Sequence, residues 1–206
     1  MIDVLRDPVT ALPVIETDAQ DISAYVPTNL ISITDGQIYL SPTLFELGIL
    51  PAVEVGKSVS RVGGAAQRPA YRAIAGDLKL AYSQFEELET FARFGTRLDE
   101  ATRHTIDHGR RIRACLKQPE SQPVSALEQI AVLLALTAGL FDRVPLEKVA
   151  DGERALRDAV PSIPAEVAER FTSAEKVSDS DRKAILDIAT LALASFQPAP
   201  ERKPSS

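Results

Sequence analysis

Cysteine and aromatic residues are scarce in this 206-residue chain, and each shortage excludes something. The single cysteine, Cys115, rules out an intramolecular disulfide framework and fits a reducing cytoplasm best. Aromatic residues make up only 5% of the chain, so the core must be largely aliphatic. The hydrophobic content of 45% and the charged content of 25% are those of an ordinary globular protein, long enough for one large or two small domains.

The chain also lacks a basic surplus and a long apolar run. A net charge of −6 argues against a general nucleic-acid binder, although it leaves room for a local basic patch. The longest apolar run, residues 130–141, is shorter than the roughly 20 residues that a helix needs to cross a bilayer. The first residues show no basic-then-apolar signal segment. We therefore expect neither a nucleic-acid binder nor a membrane-spanning protein.

The first 67 residues alternate between strand and short-helix patterns. Their β-branched and apolar runs predict strands over residues 11–15, over residues 37–40 and from residue 51 to about residue 62. This alternation is typical of a piece of an α/β sheet, too small to bury both of its faces alone. Turn and short-helix signals separate the strands: Pro27, Asp35-Gly36, Ser41-Pro42 and Gly48.

Beyond residue 67 the pattern becomes helical. Apolar residues three or four apart predict one helix over residues 70–92, ended by Gly95, and another over residues 98–116. Ser125 and Glu128 form a capping-box pattern. The helix that they begin is apolar nearly all round, so we expect it at the centre of the bundle.

The remaining helices are predicted from weaker patterns. One runs from just after Pro145 to residue 160 and is interrupted at Asp151-Gly152, a second covers residues 164–171, and Ser178 with Asp181 begins the last. The prolines and serines of residues 197–206 predict a disordered tail. The chain is therefore expected to be a sheet fragment (residues 1–67) followed by an antiparallel helical bundle (residues 68–196).

Residues 51–67 are the stretch that most resembles a site. Ser58, Ser60 and Arg61 lie near the end of a predicted strand, just before Gly63-Gly64, and strand ends facing a loop are where α/β proteins hold phosphates. An arginine there suits an anion, because its planar fork matches phosphate oxygens and it stays charged. From chemistry alone, an ion pair that fixes the sheet to the bundle explains Arg61 equally well.

Gly56-Lys57-Ser58 looks like the end of a phosphate-binding loop, G-x-x-x-x-G-K-[ST], but does not qualify. The first glycine of that motif would fall at position 51, which is Pro51. The motif should also begin a helix, whereas residues 59–62 continue as a strand.

One predicted helix of the bundle is strongly basic. Its cations could form a solvated face that complements Glu86, Glu87 and Glu89, or a docking surface for a partner subunit. The basic residues are Arg103, Arg110, Arg111, Arg113 and Lys117.

His104 and His108 lie four residues apart on this helix and would share a face, as zinc ligands do. The H-E-x-x-H motif fails because position 105 is Thr105, which leaves no general base, and Asp107 points elsewhere on the helix, so two surface histidines and no metal are expected. Cys115 lies among apolar neighbours and is interpreted as a small core residue.

Two stretches resemble the alpha subunit of the rotary F-type ATP synthase. They are residues 22–40, which begin Ile-Ser-Ala-Tyr-Val-Pro-Thr-Asn-Leu, and residues 58–67, Ser-Val-Ser-Arg-Val-Gly-Gly-Ala-Ala-Gln. The similarity continues in order to Phe196. It implies that residues 1–67 are the terminal strands of a RecA-like α/β nucleotide-binding domain and that residues 68–196 are the helical C-terminal domain, a mainly α variant of the α+β class.

In this family, alpha and beta subunits alternate in a hexameric ring around a rotating gamma shaft, on the cytoplasmic face of the bacterial membrane. The arginine of the Ser-Val-Ser-Arg segment reaches the beta subunit's catalytic site as an arginine finger, and such fingers contribute roughly 10³–10⁵ in rate. The resemblance assigns this role to Arg61. ATP or ADP with Mg²⁺ would be held mainly by the beta subunit.

The resemblance also assigns other site residues. Ser58 matches a serine needed for activity, Ser32, Gly36 and Ser60 match the same nucleotide interface, and Gln118 matches an adenine-side residue. The interface would thus combine residues from distant parts of the chain.

Several positions depart from the family. Its phosphate-binding loop lies upstream of the residues present here, which implies a truncated or split alpha subunit that is inactive and binds no nucleotide alone. Leu50 stands where an arginine is usual, Glu120 replaces a second adenine-side glutamine, and Glu54 and Lys57 also differ. The alternatives are an orphan helical assembly module without nucleotide chemistry and a metal enzyme built on the two histidines.

Overall fold

A computed structural model describes residues 11–65, 67–92, 98–173 and 177–198. We call residues 11–65 the first region and the remaining described residues the helical region. The described residues contain one antiparallel pair of short strands, β1 (Gly36–Gln37) and β2 (Val59–Ser60). Their α-helices are α1 (Tyr25–Ile33), α2 (Pro42–Glu46), α3 (Pro69–Ala92), α4 (Glu100–Cys115), α5 (Ala126–Thr137), α6 (Val149–Ala159), α7 (Ala165–Thr172) and α8 (Asp179–Leu193).

Helix α5 lies at the centre of the helical region, as its apolar sequence predicts. One of its faces, with Val132 and Leu136, joins a core cluster shared with α3, α4, α6 and α8. Its other face, with Ile130 and Leu134, joins a second cluster with the start of α3, α7 and α8. Because α5 belongs to both clusters, the helical region is a single packed body, and the expected mainly helical α+β class is confirmed.

Side-chain caps fix where the helices begin. Ser125 and Glu128 form the predicted capping box of α5, and Ser178 and Asp181 form that of α8. Asp99 caps α4 by accepting a hydrogen bond from the backbone N–H of Thr102 at 2.7 Å.

Asp181 also joins α7 to α8. Its carboxylate accepts two hydrogen bonds from the Arg170 guanidinium, at 2.7 and 3.0 Å. These bonds, followed by those from Ser178, hold the pKa of the Asp181 carboxyl well below its usual range.

The first region contains little buried apolar surface. Helix α1 forms around Pro27, and α2 begins after the Ser41 cap with Pro42 at its first position, as predicted. Gly48 follows α2 in a left-handed conformation with φ of +67°. The buried apolar residues of this region are Pro27, Leu44 and Ala52.

Three predictions about the elements are wrong. Residues 11–15 are an exposed irregular segment rather than a buried strand, since no described strand pairs with them. The strand expected over residues 51–62 is interrupted by a turn at residues 55–57. Asp151-Gly152 does not interrupt α6, which continues through both residues. Glycine stands at position 152 because α6 passes close to Leu193 of α8 there.

Two other predictions lie outside the described residues. They are the helix end at Gly95 and most of the tail at residues 197–206. Within the described part of the chain, no helix combines the length and the apolar character needed to cross a membrane.

Candidate functional site

The candidate site is built on the β1–β2 pair. Gly36 pairs with Ser60 and Gln37 with Val59. A Cβ atom at Gly36 would collide with the carbonyl oxygen of Val59, so only glycine allows the strands to come this close. This pairing places the segment after β2, which begins with Arg61, beside the turn that follows α1.

The second strand carries extra residues relative to the first. A further antiparallel bridge joins Leu40 to Val53. Between the bridge and the Gln37–Val59 pair, the first strand advances three residues and the second advances six. The surplus is accommodated by residues 54–58, which we call the inserted loop.

Ser58 closes the inserted loop. Its hydroxyl donates to the carbonyl oxygen of Glu54 at 2.7 Å and accepts from the backbone N–H of Tyr39 at 3.0 Å. Its own N–H also bonds to Glu54, at 3.1 Å. The hydroxyl thus replaces backbone pairing that the loop interrupts, so Ser58 holds the register of the strand that leads to Arg61.

Arg61 binds the C-terminal end of α1. Its guanidinium donates to the carbonyl oxygens of Ile31 at 2.8 Å and Ser32 at 2.9 Å, and its backbone N–H donates to Asp35 at 2.7 Å. The last carbonyls of a helix lack intrahelical partners and carry partial negative charge, which favours a cation there.

The alternative of an ion pair between Arg61 and the bundle is not found among the described residues. None of the ion pairs formed within those ranges involves Arg61. The side chain is exposed and its partners are neutral carbonyls, so its positive charge is not neutralised by a carboxylate there.

The other predicted site residues fall into two groups. Ser32 contributes its carbonyl to Arg61, and the Ser60 hydroxyl accepts from the N–H of Gly63 at 3.0 Å. Gln118 lies elsewhere, after α4, where its backbone N–H donates to Leu50 at 3.0 Å and its side chain binds the carbonyl of Gln122. Arg61, Ser58, Ser32, Gly36 and Ser60 therefore form one assembly, and Gln118 belongs beside the Leu50-Pro51 segment.

The basic helix α4 is less solvated than predicted. Arg113 ion-pairs with Glu89 at 2.8 Å, donates to the Tyr82 hydroxyl at 3.1 Å and stacks over the Phe85 ring at 4.4 Å. Arg111 donates to the carbonyl of Val144. The predicted complementarity to the acidic residues of α3 is present at Glu89, but Arg111 and Arg113 are half-buried and join α4 to its neighbours rather than lying on a solvated face.

His104 and His108 both face Asp142. The Nδ1 atom of His108 is 2.6 Å from Oδ1 of Asp142, and the Nε2 atom of His104 is 3.9 Å from its Oδ2. His108 is half-buried, which corrects the prediction of two surface histidines. Within the described ranges, no group of three or more His, Cys, Asp or Glu residues is arranged to hold a metal ion.

Cys115 lies in the core, as predicted. Burial raises the pKa of its thiol well above the ordinary range, so the reactive thiolate is disfavoured.

Two features of the site were not predicted from the sequence. The carbonyls that bind Arg61 lie about 30 residues before it, and no local pattern links them. The pairing of Lys57 with Glu54 at 3.1 Å was also missed. Their spacing of three residues with opposite charge was the available signal.

Comparison with known proteins identifies the family to which this sequence belongs. Residues 67–192 match the model of the ATP synthase alpha/beta chain, C terminal domain, and residues 3–60 match that of the ATP synthase alpha/beta family, nucleotide-binding domain. The chain is 74% identical over 192 residues to ATP synthase subunit alpha 2 of Albidiferax ferrireducens, an alignment that covers 93% of this chain and 36% of the relative. The chain belongs to the ATP synthase alpha subunit family.

Other alpha subunits show similar agreement. The chain is 69% identical to ATP synthase subunit alpha 1 of Shewanella frigidimarina over 94% of its own length and 38% of the relative. It is 66% identical to ATP synthase subunit alpha 2 of Polaromonas naphthalenivorans, over 93% of its own length and 37% of the relative. This member of the family therefore spans just over a third of the length of the curated relatives it matches.

Proposed function

We propose that this chain acts as part of the alpha subunit of a rotary ATP synthase and supplies Arg61 to a nucleotide phosphate held by a neighbouring subunit. One observation carries the proposal. The Arg61 guanidinium is exposed at the end of a strand and is held by two helix-terminal carbonyls, without a carboxylate partner among the described residues. A cation held in this way keeps its charge available to an anion.

The chemistry of the guanidinium supports the same role. It has more N–H donors than the two carbonyl bonds use, so further donors remain for phosphoryl oxygens. The bonds to α1 fix its orientation before an anion arrives, which lowers the entropic cost of binding. A fixed arginine stabilises the charge that spreads over the transferring phosphoryl group.

The nucleotide itself would be held by a partner. The 206 residues contain no G-x-x-x-x-G-K-[ST] motif, and the lysine that most resembles its lysine, Lys57, is paired with Glu54. We propose that ATP or ADP and its Mg²⁺ are bound mainly by a beta subunit, and that Ser58, Ser32, Gly36 and Ser60 position Arg61 without touching the phosphates.

The relatives support the wider setting. Each is named as an alpha subunit of ATP synthase. We propose that the chain assembles with beta subunits and the gamma shaft on the cytoplasmic face of the membrane, and that it takes part in ATP synthesis coupled to proton transport. The helical region would serve as its packing surface toward the shaft and neighbouring subunits.

A chimeric complex tests the proposal. Residues 11–198 replace the matching segment of the Albidiferax ferrireducens alpha subunit, which is assembled with that organism's beta and gamma subunits. We expect Arg61→Ala to lower kcat for ATP hydrolysis by at least about 10³-fold. Arg61→Lys keeps the charge but loses the planar fork, so it should recover only part of the rate.

The matched control is Arg154→Ala, which removes an exposed arginine from α6. It should leave kcat unchanged. Full ATPase activity in a correctly assembled Arg61→Ala complex would refute the finger role and favour the assembly-module alternative. Measurable ATP binding by the isolated chain in calorimetry would contradict the proposal that a partner holds the nucleotide.

A further inference from the structure

The inserted loop is the contact between the Arg61 strand and the helical core. Val55, in the middle of the loop, packs half-buried against the core cluster that contains Tyr82 and Phe85 of α3. The next residue, Gly56, lies close to Glu86, because a Cβ atom built on it would be 3.9 Å from Oε2 of that glutamate. One side chain of the site segment is thus embedded in the helical region.

The loop is closed on itself. Lys57 ion-pairs with Glu54 at 3.1 Å and lies over the Tyr39 ring at 4.8 Å. The Ser58 hydroxyl and N–H both bond to the Glu54 carbonyl. Val55 is therefore fixed at the tip of a loop whose two ends are joined, so a displacement of its side chain moves the loop as a unit.

Only Val59 and Ser60 lie between the inserted loop and Arg61. Val59 and Ser60 are paired with β1, and the Arg61 N–H is bonded to the carbonyl of Asp35. Ser58 is thus bonded to Tyr39 and Glu54, Val59 and Ser60 are held in register against β1, and Arg61 is bonded to Asp35. The position of the guanidinium follows from the register of these bonds.

We propose that Val55 is a positioning residue for Arg61: the helical core holds Val55, and the inserted loop passes that position on to the guanidinium. This inference rests on the proposed function of Arg61 and adds to it the element that sets the reach of the side chain. Val55 does not touch the nucleotide and acts only through the strand.

The alternative is that Val55 merely fills space in the core. In that case its truncation would lower stability as any core valine does, with no particular effect on the reaction. Val132 of α5 is the matched comparison, since it belongs to the same core cluster and has no described connection to the Arg61 strand.

The test uses the chimeric complex and compares Val55→Ala with Val132→Ala. Both should lower the unfolding temperature. Only Val55→Ala should lower kcat, by about tenfold to 10²-fold, because a displacement of about 1 Å in a catalytic group costs that much. The KM for ATP should stay nearly constant, and Val55→Ile, which keeps the β-branched apolar side chain and adds one methylene, should retain most of kcat.

A double variant separates this inference from the proposed function. In the Arg61→Ala background, Val55→Ala should cause no further loss of kcat, because Val55 acts through Arg61. Multiplying effects, or equal kcat values for Val55→Ala and Val132→Ala, would overturn the inference while leaving Arg61 in its role. An unimpaired Arg61→Ala complex would instead overturn the proposed function.

Assembly is checked by size-exclusion chromatography. If Val55→Ala does not assemble, Val55→Thr is compared with Val132→Thr, since threonine keeps the branched shape and changes only the polarity. The same split between kcat and stability is then expected. Its absence would overturn the inference.

Discussion

The first region and the helical region differ in where they place their apolar side chains. All of the described buried apolar residues except Pro27, Leu44 and Ala52 lie in the helical region. Large exposed apolar residues show the reverse distribution. In the helical region they are only Leu80, Phe91, Leu116, Leu146 and Leu191, whereas the first region exposes many more, including Val14 at 90% and Tyr25 at 83%.

This difference separates a region that packs on itself from one that does not. The helical region buries its apolar faces against itself, so its stability comes from its own sequence. The first region leaves apolar surface in water, a pattern that marks an interaction surface rather than a self-sufficient core. The candidate site lies in the region that buries less apolar surface of its own.

Separating the two regions is the strongest test of this contrast. A polypeptide of residues 67–198 should unfold cooperatively, with a midpoint close to that of the whole chain. Its free energy of unfolding should be only about 1 kcal/mol lower than that of the whole chain, because Val55 is the one side chain of the first region that packs on the described core cluster. A polypeptide of residues 11–65 should show no cooperative transition. Circular dichroism during urea unfolding measures both.

An unfolded 67–198 polypeptide would contradict the contrast, since it would mean that the helical region needs the first region to form. A cooperatively folded 11–65 polypeptide would contradict it from the other side. The whole chain, measured under the same conditions, is the reference for both.

A smaller change tests the packing of the helical region. A Cβ atom at Gly109 of α4 would collide with the ring and Cβ of Phe85, which is fully buried on α3. We expect Gly109→Ala to lower the free energy of unfolding by about 3 kcal/mol, because the two helices must move apart. Urea unfolding of the whole chain measures the change.

Gly76 of α3 provides the matched control. It lies inside a helix, as Gly109 does, but no other group lies within 4 Å of the position that a Cβ atom would take. Gly76→Ala should therefore raise the free energy of unfolding by about 0.5–1 kcal/mol, through helix propensity alone. If both substitutions have the same sign, the close packing of α4 on α3 is not what limits stability.

The helical region could be predicted well because its signals are local. The capping pairs Ser125 with Glu128 and Ser178 with Asp181 lie three residues apart, and a helix places such pairs in contact whatever surrounds them. The exception, Gly152, depended on a distant partner. Its role in the approach of α6 to Leu193 could not be inferred from neighbouring residues.

The first region was predicted less well because its structure depends on pairing at long range. An apolar run such as residues 11–15 forms a strand only if another strand pairs with it, and none among the described residues does. The inserted loop could not be foreseen either, since alternating valines give no sign of surplus residues. For Arg61, the residues left an anion contact and an ion pair equally open, the family resemblance favoured the anion, and neither indicated the α1 carbonyls that orient it.

The smallest expected effect lies where the two regions meet. Glu86 of α3 is half-buried beside the inserted loop. Burial raises the pKa of its carboxyl, Arg113 opposes the shift, and the nearby Glu54 adds to it. The proton is therefore held more tightly in the folded protein than in the unfolded chain, and ionisation of Glu86 weakens the contact between the regions.

The sign of the pH dependence follows from this shift. From pH 4.5, the ordinary pKa of a glutamate, up to the raised pKa of folded Glu86, the folded state binds more protons, so stability falls as the pH rises through that window. Glu86→Gln removes the titration. The stability that this variant gains over the wild type should therefore be larger at pH 7 than at pH 4. The gain should stay below about 1 kcal/mol, because solvent screens a half-exposed group. Glu87→Gln, one residue along α3 at an exposed position, controls for the loss of a negative charge, and an equal gain from it would show that the inserted loop exerts no electrostatic effect on α3.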